Sequence, residues 1–285
     1  MRPVRPPVRI LLICLTLTPG LAADDFTFPL KSDSVRFAVI GDMGTGASPQ
    51  YEVAQQMFTA HHRFPFEFTI MLGDNIYGGN SPRDFERRFN TPYRPLLEAG
   101  VMFYASLGNH DDPNERFYKQ FNMNGASYYT FKKGPVQFFA LDTNYLDQAQ
   151  LAWLDTQLKR SSNNEWKVCF FHQPLYSSGM THGAATDLRL LLEPLFVRYG
   201  VNVVFSGHDH VYERIRPQQG IYYFTEGASG QLRKGDLRRT AITARGFDDD
   251  RTFMLVEIAG DEMFFQTVSR TGETVDSGRI QEPKR

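Results

Sequence analysis

Two aspartates, one asparagine and three histidines stand in short polar clusters that each close an apolar run of this 285-residue chain. They are Asp42 in "AVIGD", Asp74 in "TIMLGD", Asn109 in "SLGNHD", His172 in "FFHQP", and His208 with His210 in "SGHDH". Carboxylate, amide oxygen and imidazole suit zinc, manganese or iron, and no thiolate among them points to a sulfur-held cluster. One tetrahedral ion cannot use so many groups. A carboxylate can bridge, so the set reads as a two-metal site, with ions roughly 3.5–4 Å apart and a water activated between them. Such pairs clamp the attacking and leaving oxygens of an in-line displacement, and the chemistry implied is hydrolysis at phosphorus. Alone, the two histidines flanking Asp209 in "VVFSGHDH" are as consistent with surface loop residues as with ligands. The fivefold repetition carries the reading.

One construction used five times needs elements that deliver five segments to one edge. "VRFAVIGD", "FEFTIMLGD", "VMFYASLGNHD", "WKVCFFHQP" and "VNVVFSGHDH" have the apolar pattern of strands buried on both faces. Ligands of α/β sheets collect at the carboxyl ends of strands, so the clusters would converge on one crevice. In four of the five a glycine precedes the polar residue, permitting a tight turn and close approach.

Helical patterns separate these strands. "SPQYEVAQQMFTAHH" offers Ser48 and Pro49 as cap and first-turn residues, and "SPRDFERRFNTPYRPLLEAG" is a helical region interrupted by prolines. "DQAQLAWLDTQLKRS" places Leu151, Leu154 and Leu158 on one face, and "TDLRLLLEPLFVRYG" is a helix interrupted near Pro194. "GIYYFTEG" is a further strand, and hairpins are expected at Lys133–Gly134 and across Gly260–Asp261. A doubly wound sheet lacks such hairpins. A two-sheet sandwich with helices outside, in one domain, is expected instead.

A hydrophobic content of 41% and a charged content of 22% fit a globular chain, and a net charge of -1 supplies no basic excess for a nucleic-acid partner. The start, "MRPVRPPVRILLICLTLTPGLAADD", has arginines, an apolar stretch from Ile10 to Leu17, a Pro-Gly break and small residues. This is the layout of a secretory signal peptide over residues 1–23, cleaved after Ala22 or Ala23, which leaves a domain of residues 24–285. The apolar run falls well short of the roughly 20 residues that span a bilayer, so no stable membrane insertion is expected. A secreted, extracellular, periplasmic or lysosomal protein follows. Cys14 would leave with the leader, and Cys169 would then have no internal disulfide partner.

"GDMG", "GDNIY", "GNHD", "FFH" and "GHDH", in that order, resemble the metallophosphoesterase superfamily over most of the chain. The resemblance implies a calcineurin-like fold, a four-layer α/β/β/α sandwich of two mixed sheets flanked by helices. Most branches have an Asp-x-His first motif; here Gly44 stands at the histidine position, and Tyr77 lies three residues after Asp74. That swap resembles the purple acid phosphatases, in which a phenolate binds ferric iron, and the short chain resembles their small, tartrate-resistant branch. The resemblance assigns Asp42, Tyr77 and His210 to Fe(III), and Asn109, His172 and His208 to a divalent Fe, Zn or Mn ion. Asp74 would bridge them. It also gives His110 as an acid for the leaving oxygen, and His182 in "GMTHGAATDLR" as a second acid or a phosphate-orienting group.

The implied activity is an exported acid phosphatase, attacking small phosphomonoesters in line with a metal-bound hydroxide. A phosphodiesterase of the same superfamily, acting on nucleotides or phospholipid headgroups, and a secreted protein that only binds phosphate are the alternatives. The two-cysteine pairing of some small animal members is absent, and "GHDHVYER" is closer to the large type, which leaves substrate scope and oligomeric state open. Asp209 is not expected to ligate, and Asp111 either orients His110 or caps the next segment. His61 and His62 read as surface residues at a helix end, "FDDDR" as a solvated turn, and "TEGASGQ" as scaffold beside the site.

Overall fold

Neighbouring residues of β1 (Val35–Ile40) enter different cores: Phe37 and Val39 face one, Ala38 and Ile40 another. This is the alternation of a strand covered on both sides. The same division recurs in β2 (Phe68–Leu72), β6 (Trp166–Phe171) and β7 (Val203–Ser206). The computed structural model describes residues 27–162 and 165–282, so the leader predicted over residues 1–23, with Cys14, lies outside the described residues.

The remaining elements are α1 (Ser48–His61), α2 (Pro82–Phe85), α3 (Thr91–Glu98), β3 (Met102–Ser106), β4 (Tyr129–Lys133), β5 (Val136–Ala140) and α4 (Gln148–Arg160). They continue with α5 (Thr186–Tyr199), β8 (Tyr212–Gln218), β9 (Ile221–Glu226), β10 (Thr243–Phe247), β11 (Thr252–Ala259), β12 (Glu262–Ser269) and β13 (Thr274–Gln281). One sheet has the order β13-β12-β11-β1-β2-β3 and the other β10-β8-β9-β7-β6-β5-β4. Both are mixed: β1, β2 and β3 run parallel, as do β5, β6, β7 and β9, while hairpins such as β4–β5 and β11–β12 supply antiparallel edges.

The sheets face each other across a core of aromatic rings. Phe37 stacks on Phe68 at 5.3 Å and meets Phe138 and Phe205 edge-on at 5.3 and 6.1 Å. Met57 of α1 and Leu96 of α3 cover the outer face of the first sheet, and Leu154 of α4 and Phe196 of α5 that of the second. The result is the expected α/β/β/α sandwich. Phe37→Ala removes the ring at the centre of this packing, and a loss of about 3–5 kcal/mol in denaturant unfolding is expected. A loss under about 1 kcal/mol would mean the sheets repack without it.

Some local expectations are corrected. Ser48 does not cap α1; Ala47 holds the cap position and the Ser48 hydroxyl donates to Glu52 at 2.8 Å. The prolines do not break the helical region, because a π-helical turn, Glu86–Asn90, joins α2 to α3. The Arg88 carbonyl, which Pro92 cannot serve, accepts from Gln50 Nε2 instead. Likewise Pro194 lies inside α5 without ending it, on an exposed face where water can reach the Leu190 carbonyl.

Candidate metal centre

Parallel strands point their carboxyl ends the same way, and the ends of β1, β2, β3, β6 and β7 form one edge of the sandwich. The two sheets are pinned together there. The His208 N–H donates to Asp42 Oδ2 at 2.8 Å, and His172 Nδ1 meets the Leu72 carbonyl at 2.9 Å. Glycine makes this approach possible: a Cβ on Gly207 would lie 2.5 Å from Asp42 Oδ2. Asp42, Asp74 and His208 themselves adopt positive φ, at 54°, 52° and 69°. The chain turns sharply at each so that the side chain is thrown across the strand ends.

All seven residues singled out as ligands are brought together, in two groups. The Tyr77 hydroxyl donates to Asp42 Oδ1 at 3.3 Å and lies 3.4 Å from His210 Nε2, which is itself 3.3 Å from Asp42 Oδ1. On the other side His172 Nε2 lies 2.9 Å from Asn109 Oδ1 and 3.0 Å from His208 Nδ1. Asp74 joins them: its Oδ1 is 3.4 Å from His172 Nε2, and it offers an oxygen within 4.8 Å of ligand atoms of both Asp42 and His210.

These contacts fit a cation better than hydrogen bonding. His172 gives Nδ1 to a buried carbonyl, so the lone pair of a neutral ring is on Nε2. That lone pair faces an amide oxygen and a carboxylate oxygen, which are acceptors rather than donors, and a nitrogen of a second imidazole. Burial, with His172 next, brings His208 down to about 3, and burial, with Arg233 next, brings His210 down to about 4, so both rings offer lone pairs. Burial holds the Asp42 carboxyl well above its ordinary range despite the opposing pull of His172, with Asp74 adding to the rise. Buried acids and neutral imidazoles aimed at each other are what a cation would stabilise.

His110 and His182 stand at the rim, both exposed. The His110 N–H donates to Asp74 Oδ1 at 2.9 Å, and its ring centre lies 5.0 Å from that of Tyr77. The ring of His182 lies 4.2 Å from that of His208. Asp209 turns away from the centre and binds the Ser177 hydroxyl and the Gly183 N–H, tying down the loop that carries His182.

Other residues matter in ways that sequence reasoning did not resolve. Asp111 neither orients the His110 ring nor caps the next segment, whose cap is Asp112. It accepts from the N–H groups of Asn75, Ile76 and Gly108 at 2.6, 3.0 and 2.7 Å, clamping the β2 and β3 loops together. Burial and then Asp74 push its carboxyl up to about 8. His61 and His62 pack on Phe66 and Phe58 away from the centre. In "FDDDR", Asp249 pairs with Lys234 and Asp250 with Arg270, as expected of a solvated turn rather than a calcium loop. Cys169 is buried within β6, where burial pushes its thiol up and leaves it inert.

The family model described as Calcineurin-like phosphoesterase matches residues 35–212, a span that includes every one of these donors. The chain belongs to this family. This phosphoesterase is 29% identical over 279 residues to purple acid phosphatase 17 of Arabidopsis thaliana, covering 82% of its own chain and 81% of the relative. It is 25% identical over 322 residues to human (Homo sapiens) tartrate-resistant acid phosphatase type 5, covering 95% and 96%. Its fold matches a purple acid phosphatase from seeds of yellow lupin (Lupinus luteus) with a TM-score of 0.72 at 18% identity, over 89% of this chain and 55% of that one. Family and relatives together imply a binuclear metal centre in this phosphoesterase.

Proposed function

We propose that this chain is an exported acid phosphatase of the purple type, hydrolysing small phosphomonoesters at a centre of Fe(III) and a divalent Fe, Zn or Mn ion. One observation carries the reading: the Tyr77 phenol meets Asp42 and His210 while Asn109, His172 and His208 form a separate group, with Asp74 between. Hard carboxylate and phenolate oxygens suit the ferric side, and a neutral amide with two imidazoles suits a divalent ion. Bound ions would supply Lewis-acid polarisation of the phosphate and activation of water. Export rests on the N-terminal sequence pattern, and among the described residues no helix is long and apolar enough to cross a membrane.

The chain's own residues do the rest. Asp74, whose carboxylate is within reach of both groups, sets their spacing. Asp111 fixes the loops that present Asp74 and Asn109. His110 and His182, exposed at the rim, hand a proton to the leaving oxygen. No covalent intermediate is proposed, since among the described residues no activated nucleophile stands at the centre.

Colour is the test. Iron-loaded protein is expected to show a visible phenolate-to-iron band that disappears in Tyr77→Phe, with a phosphomonoester turned over faster than a diester. A colourless iron-loaded protein ends the purple assignment, and a clear diester preference makes this a phosphodiesterase.

A further inference from the structure

One positive charge beside the centre has no task in that reading. Arg233 follows "TEGASGQ", and this segment is stitched along the strand ends: the N–H groups of Ser229, Gln231 and Arg233 donate to the carbonyls of Gly41, Asp42 and His210 at 3.2, 3.0 and 3.0 Å. Two of those carbonyls belong to candidate ligands, so the point where Arg233 leaves the chain is fixed to the centre itself. Its side chain is half-buried, and its Nη1 is shielded from water with no hydrogen-bond partner among the described residues.

The acids around it are engaged elsewhere. Asp236 accepts from the Thr181 hydroxyl and N–H at 2.5 and 3.4 Å, and Asp209 is taken by Ser177 and Gly183. Asp249 pairs with Lys234, and Asp250 with Arg270. The turn that begins at Arg233 is tied to the loop carrying His182: the Asp236 N–H donates to the Arg233 carbonyl at 3.2 Å, and the Asp236 carbonyl accepts from the Met180 N–H at 2.9 Å. A guanidinium nitrogen shielded from water without an acceptor is costly, and the ligand that suits the planar fork is a phosphate or carboxylate presenting two oxygens.

We infer that Arg233 binds the phosphoryl group of the substrate beside His182, donating to its non-bridging oxygens and favouring the dianion of a phosphomonoester over the monoanion of a diester. This rests on the phosphatase reading and adds to it a specificity residue outside the ligand set.

The probe is inorganic phosphate, titrated calorimetrically into metal-loaded wild-type protein and Arg233→Ala, with kinetics on one aryl phosphomonoester and the matching diester. In Arg233→Ala the dissociation constant for phosphate and the KM for the monoester are expected to rise about 10- to 100-fold, the loss of a charge-assisted pair. The diester KM moves by less than about threefold and metal content is unchanged, while Arg233→Lys, which keeps the charge without the fork, recovers only part. Phosphate affinity and monoester KM within about twofold of wild type would overturn the inference. So would loss of the ions from Arg233→Ala, since the arginine would then be holding the centre together. Failure of the underlying reading looks different: metal-loaded wild-type protein would itself neither bind phosphate nor turn over the monoester.

Discussion

Asp74→Ala protein is expected to hydrolyse a phosphomonoester on the order of 10³-fold more slowly than wild type or worse, exceeding the usual loss of a single electrostatic donor. Asp74 is 1% exposed, reaches both ligand groups and accepts from the His110 N–H, so on the proposed reading its removal would disturb both ions and one acid together. Metal analysis of the purified variant should find less than the wild-type complement. Asp74→Asn, which keeps the shape and the acceptor for His110, separates loss of charge from loss of packing. Turnover within about tenfold of wild type in both variants, with full metal content, would place the centre elsewhere.

The second large effect is expected at a residue that ligates nothing. Gly44 stands at the histidine position of the Asp-x-His motif, and its backbone lies so close to the β2 loop that a Cβ would sit 1.8 Å from the Asn75 carbonyl oxygen. Its N–H donates to the Asp74 carbonyl at 3.3 Å, and its own carbonyl accepts from the Tyr77 N–H at 2.9 Å. The glycine and the tyrosine are therefore structurally linked: the absence of a side chain at Gly44 lets the two loops close, and the Tyr77 N–H is held on the Gly44 carbonyl. Gly44→Ala must force them apart. A stability loss of about 1–3 kcal/mol by denaturant unfolding is expected. Turnover should fall on the order of 10²-fold, the cost of misplacing reacting groups by about 1 Å. Unchanged stability with unchanged turnover would show that the loops are not coupled in this way.

The strand ends were legible because each advertises itself three times over, by an apolar run, a turn and a metal-type side chain in a few residues. Three strands away from the centre were harder to see. β8, β10 and β13, reading "YERIRPQ", "TARGF" and "TVDSGRIQ", carry charges on a half-solvated face, and their pairing partners stabilise what local pattern does not announce. The proline positions misled for a related reason. A helix survives Pro92 and Pro194 when a Gln50 side chain or water serves the orphaned carbonyl, and neither is visible in the local sequence.

Asp111 and Arg233 mark the other limit. Asp111 stands in a motif, "GNHD", and Arg233 in an ordinary run, "QLRKGD", but the meaning of each lies in what stands opposite it after folding. Asp111 acquires its role from two backbone N–H groups of the β2 loop and one of its own. Arg233 acquires its own from acids already engaged by other donors.

The left-handed backbone at Asp42, Asp74 and His208 sets stability against chemistry within the same three residues. Each is held in a conformation that costs a side-chain-bearing residue on the order of 1 kcal/mol, and glycine would relieve it in every case. Yet a glycine there donates nothing to an ion. A library of variants selected only for melting temperature would thus be drawn toward erasing the centre first, leaving a sturdier sandwich with nothing to do.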